Sequence, residues 1–399
     1  MKKFSRCLIA LSFYFVLNSS IFANRWTPEM MIQYQRLSST AISEDGKFIA
    51  YEISTPILES EKSEFHSQIW LLSTYDESRF QLTQGKTSSS QPKFSPDNKW
   101  LGFLSARGEK KTKQLFIISV SGGESIQITD VASSVNRFDW SPDGMKIAFT
   151  MADPETDDDK KRKKEKRDWT IVDEDYKYNH LYVVSIEEIE EPRQLTKGDM
   201  NVGSFDWSPD GAKIVYDHTE IPTANSSSTS NISIVGLASG SSRVIVDWGG
   251  FDASPKFSND GKRIAFVSDG DNPSWGREHY VYTASSSGVR KKKLQPTPSK
   301  YVNAIEGWSP DDSYIIVQEA NKTSRRYFYV PSSVGGSVSA ITIGPGNFSN
   351  LSYNQFGQMV FVHEQLNVPA NVFTTNMGEF KPQRLTNMNP SFENMAHGK

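Results

Sequence analysis

The chain has 399 residues, with 44 Lys plus Arg against 47 Asp plus Glu and a formal charge of −3. That near balance gives no electrostatic case for nucleic acid or an anionic membrane surface as a partner. The single cysteine, Cys7, excludes an internal disulfide framework and a multi-thiolate metal site.

The first segment, residues 1–23, reads as a signal peptide. Met1 is followed by a basic stretch through Arg6, the apolar run CLIALSFYFVL, and NSSIFA before Asn24. The apolar run is too short to span a bilayer as a helix. Cleavage after Ala23 is expected, giving a periplasmic or secreted protein without Cys7, a lipid anchor or a membrane-inserted segment. Residues 24–39 then form an N-terminal segment, 40–390 a repeat region and 391–399 a tail.

Within 40–390 one motif recurs. WSPDGMKIAF at 140–149 returns as WSPDGAKIVY at 207–216 and as FSNDGKRIAF at 257–266, with further copies near 43, 94, 308 and 353. Its Asp-Gly pair between an aromatic residue and an alternating apolar run predicts strand, tight turn, strand, because glycine reaches positive φ without steric cost. The fourth turn positions are Gly46, Asn98, Gly144, Gly211, Gly261, Asp312 and Gly357. Their spacing is 45 to 52 residues, except for one interval of 67.

After each copy comes a β-branched or aromatic run, such as QLFIIS or HLYVVS, and then a short closing strand that often carries Leu-Thr. Four short strands per repeat of about fifty residues, seven times over, predict an all-β fold, a seven-bladed β-propeller of four-stranded blades with WD-like or TolB-like repeats. Phe94, Trp140, Trp207, Phe257 and Trp308, each just before its turn, are expected to pack between neighbouring blades.

The long interval holds DDDKKRKKEKRD, residues 157–168, seven basic and five acidic side chains that read as a solvated surface loop inserted between two strands of one blade. The first repeat begins with its own strand and the seventh ends with its own. Blades one and seven should therefore meet by side-chain packing without a shared sheet, and this seam is expected to open more easily than the rest.

Catalytic signatures are missing from the 399 residues. There is no Gly-x-Ser-x-Gly nucleophile elbow, and no run of helices alternating with strands that an α/β catalytic domain needs. The six histidines are scattered, and HEQLN at 363 lacks the second histidine of a zinc helix. Neither a catalytic residue, a metal site nor a cofactor is expected in this chain.

Repeated SPDG…IAF followed by Leu-Thr, the opening WTPEMMIQYQRLSSTAISEDGKFIAY and the ending NVPANVFTTNMGEFKPQRLTNMNP resemble the propeller half of prolyl oligopeptidase family serine peptidases, in the acylaminoacyl-peptidase and dipeptidyl-peptidase branches. The resemblance covers the repeat region and implies a neighbouring α/β-hydrolase domain that holds the Ser-Asp-His triad. None of that triad maps onto this sequence. It also implies a propeller that gates or orients peptide substrates, with peptides or an α/β-hydrolase domain as partners. DWTIVDED at 168–175 is similar to the segment with which dipeptidyl peptidases hold a free amino terminus, and places the two carboxylates at Asp173 and Glu174, although Val172 and Asp173 depart from that pattern. The plainer reading makes both acids part of the charged insertion. Two other classes share the repeat. A TolB-like exported platform binding other exported proteins carries an extra α/β domain for which the few residues before the first repeat leave no room. A propeller lactonase needs inward-facing metal ligands.

Overall fold

The computed structural model describes residues 27–59, 62–167, 169, 174–270, 278–333, 335–392 and 395. Among these, seven four-stranded sheets form the blades of a propeller, spanning 36–81, 89–127, 135–194, 201–246, 252–293, 302–340 and 347–384. In every sheet the strands pair in chain order, the first innermost and the fourth outermost.

The repeated turn is a closed hydrogen-bonded unit. In blade 3 the Ser141 hydroxyl donates to Asp143 Oδ1 and accepts the Lys146 N–H at 2.9 Å, while Asp143 Oδ1 accepts the Met145 N–H at 3.0 Å. Backbone bonds from Gly144 N–H to Ser141 C=O and from Ser141 N–H to Lys146 C=O complete it. The serine hydroxyl holds the carboxyls of Asp143, Asp210, Asp260 and Asp311 below the ordinary range. All seven fourth-position residues have positive φ, including the non-glycines Asn98 at 61° and Asp312 at 58°. Asn and Asp tolerate that region better than most side chains.

The Leu-Thr signal also has a structural cause. The fourth strand is very short, and the threonine just after it fastens it to the third. Thr83 Oγ1 accepts the Ile69 N–H at 2.9 Å and donates to Gln68, and Thr129, Thr196, Thr342 and Thr386 accept the equivalent N–H in their blades.

Each interface between neighbouring blades is filled by its own apolar cluster, from Ile69, Leu71 and Phe103 between blades 1 and 2 to Phe348 and Phe361 between 6 and 7. Trp140, Trp207 and Trp308 sit in these interfaces and are buried. Their indole N–H groups donate to the carbonyls of Lys93, Asp139 and Lys256 of the preceding blade at 3.1, 3.4 and 3.1 Å.

The charged insertion differs from the expected loop. Asp157–Lys164 is a helix whose Thr156 side chain accepts from Asp159 N–H while the Asp159 carboxylate accepts from Thr156 N–H, a capping box. Acids occupy its first turn and bases its last, complementing the helix dipole. No residue of it is buried, so the helix is solvated as expected although the backbone is ordered.

Blades 1 and 7 share no sheet. Nor do any other neighbouring blades, so the missing ladder does not single this seam out; the missing covalent link does. Two devices stand in for that link. Ile42, Ile49, Tyr51, Val360, Val372 and Met388 form the same kind of apolar cluster found elsewhere. Beyond it, Asn389 clasps the other end of the chain: its Oδ1 accepts the Gln35 N–H at 2.9 Å and its Nδ2 donates to the Gln35 C=O at 2.8 Å. The Tyr34 hydroxyl accepts the Ala370 N–H at 3.1 Å, and the Tyr34 ring meets Phe392 edge-on at 5.3 Å. Replacing Asn389 by Ala leaves the Gln35 backbone groups without their partner, so a loss of about 1–3 kcal/mol is expected. Hydrogen exchange should then accelerate in 36–42 and 347–353 more than in blades 3 to 5; uniform acceleration would show that the clasp does not govern the seam.

Candidate functional site

Strand direction gives the ring two unlike faces. First strands run toward the Ser-x-Asp-Gly turns and second strands run back. The connections from second to third strands, the start of the first strand of blade 1 and the end of the last strand of blade 7 therefore lie on the opposite, loop face. The turn face is uniform and consolidated by contacts between neighbouring turns, such as Asn259 Nδ2 to the Ser309 carbonyl at 2.8 Å. The loop face is where the blades differ. It carries the 153–178 connection and a hairpin in blade 1 whose strands, Phe48–Glu59 and Lys62–Ser73, are 12 residues each against six or seven in blades 2 to 5. Five extra residues at about 3.3 Å each extend that hairpin by roughly 16 Å. Arg36 stacks over its Phe65 ring at 4.3 Å.

Between the faces lies a central cavity of about 820 Å³, lined by first strands of blades 2 to 7. Bulges shape it. The first strands of blades 2, 4, 5 and 7 skip register at Gln91-Pro92, Gly203-Ser204, Ser254-Pro255 and Asn350-Leu351, and Gln91, Ser254 and Asn350 have φ of 53° to 55°. A bulge frees backbone N–H groups from the ladder, and these must find other acceptors. Buried Asp217 supplies one: Ser204 N–H and Ser254 N–H reach its two oxygens at 3.1 and 2.9 Å, and the Ser204 hydroxyl also donates to it. A Cβ on residue 203 would overlap Asp217 Oδ1, which accounts for Gly203. Burial pushes the Asp217 carboxyl upward against these hydrogen bonds. Buried Glu52 does the same for Gln91 N–H, at 3.3 Å.

Nearer the turn face, the residues just before Phe94, Trp140, Trp207 and Phe257 form an ionic layer. Lys93 pairs with Asp139 at 3.1 Å, and Lys256 with Asp206 at 3.0 Å, whose second oxygen accepts the Phe257 N–H at 2.8 Å. Lys256, which lines the cavity, and its partner Asp206 keep 24% and 20% of their side-chain surface. Burial works against both charges. Asp206 is held above the ordinary carboxylate range, while Lys256 is carried above its ordinary value by the carboxylates of Asp206 and Asp139. Glu306 stands next to them with no hydrogen bond or ion pair among the described residues. Burial pushes its carboxyl up to about 7, against the opposing pull of Lys256.

The sequence motif at Asp173 and Glu174 is only half visible, since Asp173 lies outside the described residues. Glu174 is exposed on the loop face, and the next acid, Asp175, is taken by Arg162 at 2.7 Å. Gly46, Asn98, Gly144, Gly211, Gly261, Asp312 and Gly357 are all on the turn face and do not line the cavity. Among the described residues no group of three or more His, Cys, Asp or Glu is placed to hold a metal ion, and no helix is long and apolar enough to cross a membrane. The cavity residues themselves escaped the reading of the sequence, although a signal existed: Lys93, Asp139, Asp206 and Lys256 are charges set directly before a buried aromatic on a strand.

No family model matches the chain. Dipeptidyl-peptidase 5 of Porphyromonas gingivalis is 26% identical over 395 residues, covering 90% of this chain and 55% of that protein. An uncharacterized peptidase of Bacillus subtilis is 31% identical over 205 residues, 48% of this chain and 31% of that one. Among solved structures, acylaminoacyl peptidase of Pyrococcus horikoshii superposes with a TM-score of 0.71 at 17% identity, over 92% of this chain and 55% of its own. The propeller domain of the trilobed protease of Pyrococcus furiosus, described as having an open velcro topology, gives 0.64 at 16% identity over 90% and 97%. The chain therefore shares its propeller fold with domains of these peptidases. It spans about half the length, or less, of the curated relatives it matches.

Glu306 gives the propeller a measurable electrostatic signature. With a folded-state value near 7 against an ordinary 4.5, the native state binds the proton more tightly than the unfolded chain. Stability is therefore unaffected below about pH 4 and declines as pH rises toward and past 7. Glu306→Gln should stabilise the protein at pH 8 by on the order of 1–3 kcal/mol and change little at pH 4. Thermal midpoints of both proteins across that range test it, and an equal effect at both ends would contradict the assignment.

Proposed function

We propose that this propeller gates and orients peptide substrates for an α/β-hydrolase domain, and that it works outside the cytoplasm after removal of residues 1–23. The observation that carries this reading is the central cavity, about 820 Å³ in volume, lined by polar and charged side chains and reaching toward the loop face. From the ionic layer the cavity extends to Asn136 and Asn179, at the loop-face ends of their strands. A hydrolase domain joined to either chain end would cover that mouth. The ionic layer lies nearer the turn face, so a peptide held on its loop-face side presents its free end toward the hydrolase. The peptidase names of the relatives agree with such a role. Glu174, exposed on the loop face, suits a substrate's amino terminus.

A fluorescent peptide of six to eight residues, followed by anisotropy, tests the reading on the full chain. Asn136→Trp, which obstructs the mouth, should abolish binding. Tyr75→Trp, at a site 95% exposed and away from the cavity, should leave it unchanged. Equal binding by both variants would place the peptide elsewhere.

A further inference from the structure

The charged groups around the cavity are not equally occupied. Lys93 and Lys256 each have a carboxylate partner within 3.1 Å. Asp217 has both oxygens taken by Ser204 and Ser254. Gln91 donates to the Asn136 carbonyl at 3.2 Å, and the Asn136 amide to Asn179 Oδ1 at 3.0 Å. Arg137 is different. It lies on the first strand of blade 3, one residue past Asn136, lines the cavity, is exposed within it, and makes no hydrogen bond or ion pair among the described residues. Its charge reaches Asp217 only as a weak attraction, after three hydrogen bonds have already claimed that carboxylate.

An arginine with five unclaimed donors, in a cavity where Asp139 and Asp217 are already paired or bonded and the buried Glu306 interacts with Lys256, is arranged to receive an anion. A planar carboxylate matches the guanidinium fork in two parallel hydrogen bonds. Resting on the peptide-binding reading above, we propose that Arg137 is a carboxylate-binding residue of the channel, holding the C-terminal carboxylate or an acidic side chain of a short peptide. Arg137 lies nearer the loop face than the Lys93–Asp139 pair, two residues earlier on the same strand as Asp139. A carboxylate held there keeps its peptide on the hydrolase side of the ionic layer. The hydroxyls of Ser204 and Ser254 and the amide of Gln91 line the same cavity and suit a peptide backbone.

Four peptides on the full chain separate the outcomes by calorimetry: N-acetyl-trialanine with a free carboxylate, its C-terminal amide, N-acetyl-Ala-Glu-Ala amide, and its Gln counterpart. The free acid should bind at least about tenfold more tightly than its amide. If acidic side chains are the natural ligand, the Glu peptide shows that advantage over its Gln counterpart instead. Arg137→Gln should erase whichever preference is found, Arg137→Lys should keep part of it, and both variants should retain the thermal midpoint because the side chain is exposed. Equal binding of charged and neutral peptides overturns the assignment while leaving peptide binding in place. A preference that survives Arg137→Gln overturns it too, since the carboxylate is then held elsewhere. No binding of any peptide removes both the assignment and the gating role it rests on.

Discussion

Everything in this molecule depends on apolar packing between sheets that share no strand ladder with one another. A four-stranded blade is apolar on both faces and cannot bury either alone, so each stacks between two neighbours, and the seventh meets the first. The second and third strands show the consequence in their composition. Runs such as QLFIIS and KIAFTMA are buried almost throughout, where a one-sided sheet would alternate. The tryptophans before the turns add direction to this non-directional force. An indole N–H that must reach a carbonyl of the preceding blade fixes how far and at what angle the next blade stands.

That spacing in turn sets the channel. The carbonyls bonded by Trp140, Trp207 and Trp308 belong to Lys93, Asp139 and Lys256, the residues whose side chains build the ionic layer. The packing that closes the ring thus also places charges at one level around its axis. Just beyond this layer the inner strands bulge, and buried carboxylates from second strands receive the freed N–H groups. Asp217 joins blades 4 and 5 in this way. A buried acid with several donors is costly to disturb, and it holds the cavity wall in a conformation that regular pairing would not produce.

The two faces divide the work. On the turn face nearly every polar group is committed to the turn itself or to the adjacent turn, leaving a repetitive surface with little room for variation. On the loop face the blades depart from the repeat, with a long hairpin, a capped charged helix and the paired chain ends around the cavity mouth. Connections there can vary without unmaking a blade, because the sheets are completed before the chain leaves them.

What the sequence determined by itself is everything that recurs at short range. Ser-x-Asp-Gly closes a turn with bonds among six consecutive residues, Leu-Thr ties a fourth strand to the third, and an aromatic residue marks most interfaces, so seven blades were legible as seven copies. The capped helix was legible too, since Thr156 and Asp159 stand at capping-box spacing, but the surrounding charge drew the reading toward a loop. The cavity could not be read in the same way. Arg137, Asp217, Lys256 and Glu306 come from four blades across 170 positions, and no local pattern says which side chains face the axis once a bulge has shifted register. Their pairing, and the lack of a partner for Arg137 and Glu306 among the described residues, arise only when ring closure brings distant strands around one axis. Electrostatic interaction depends on distance in space and on exclusion of water, and the tertiary structure alone supplies both.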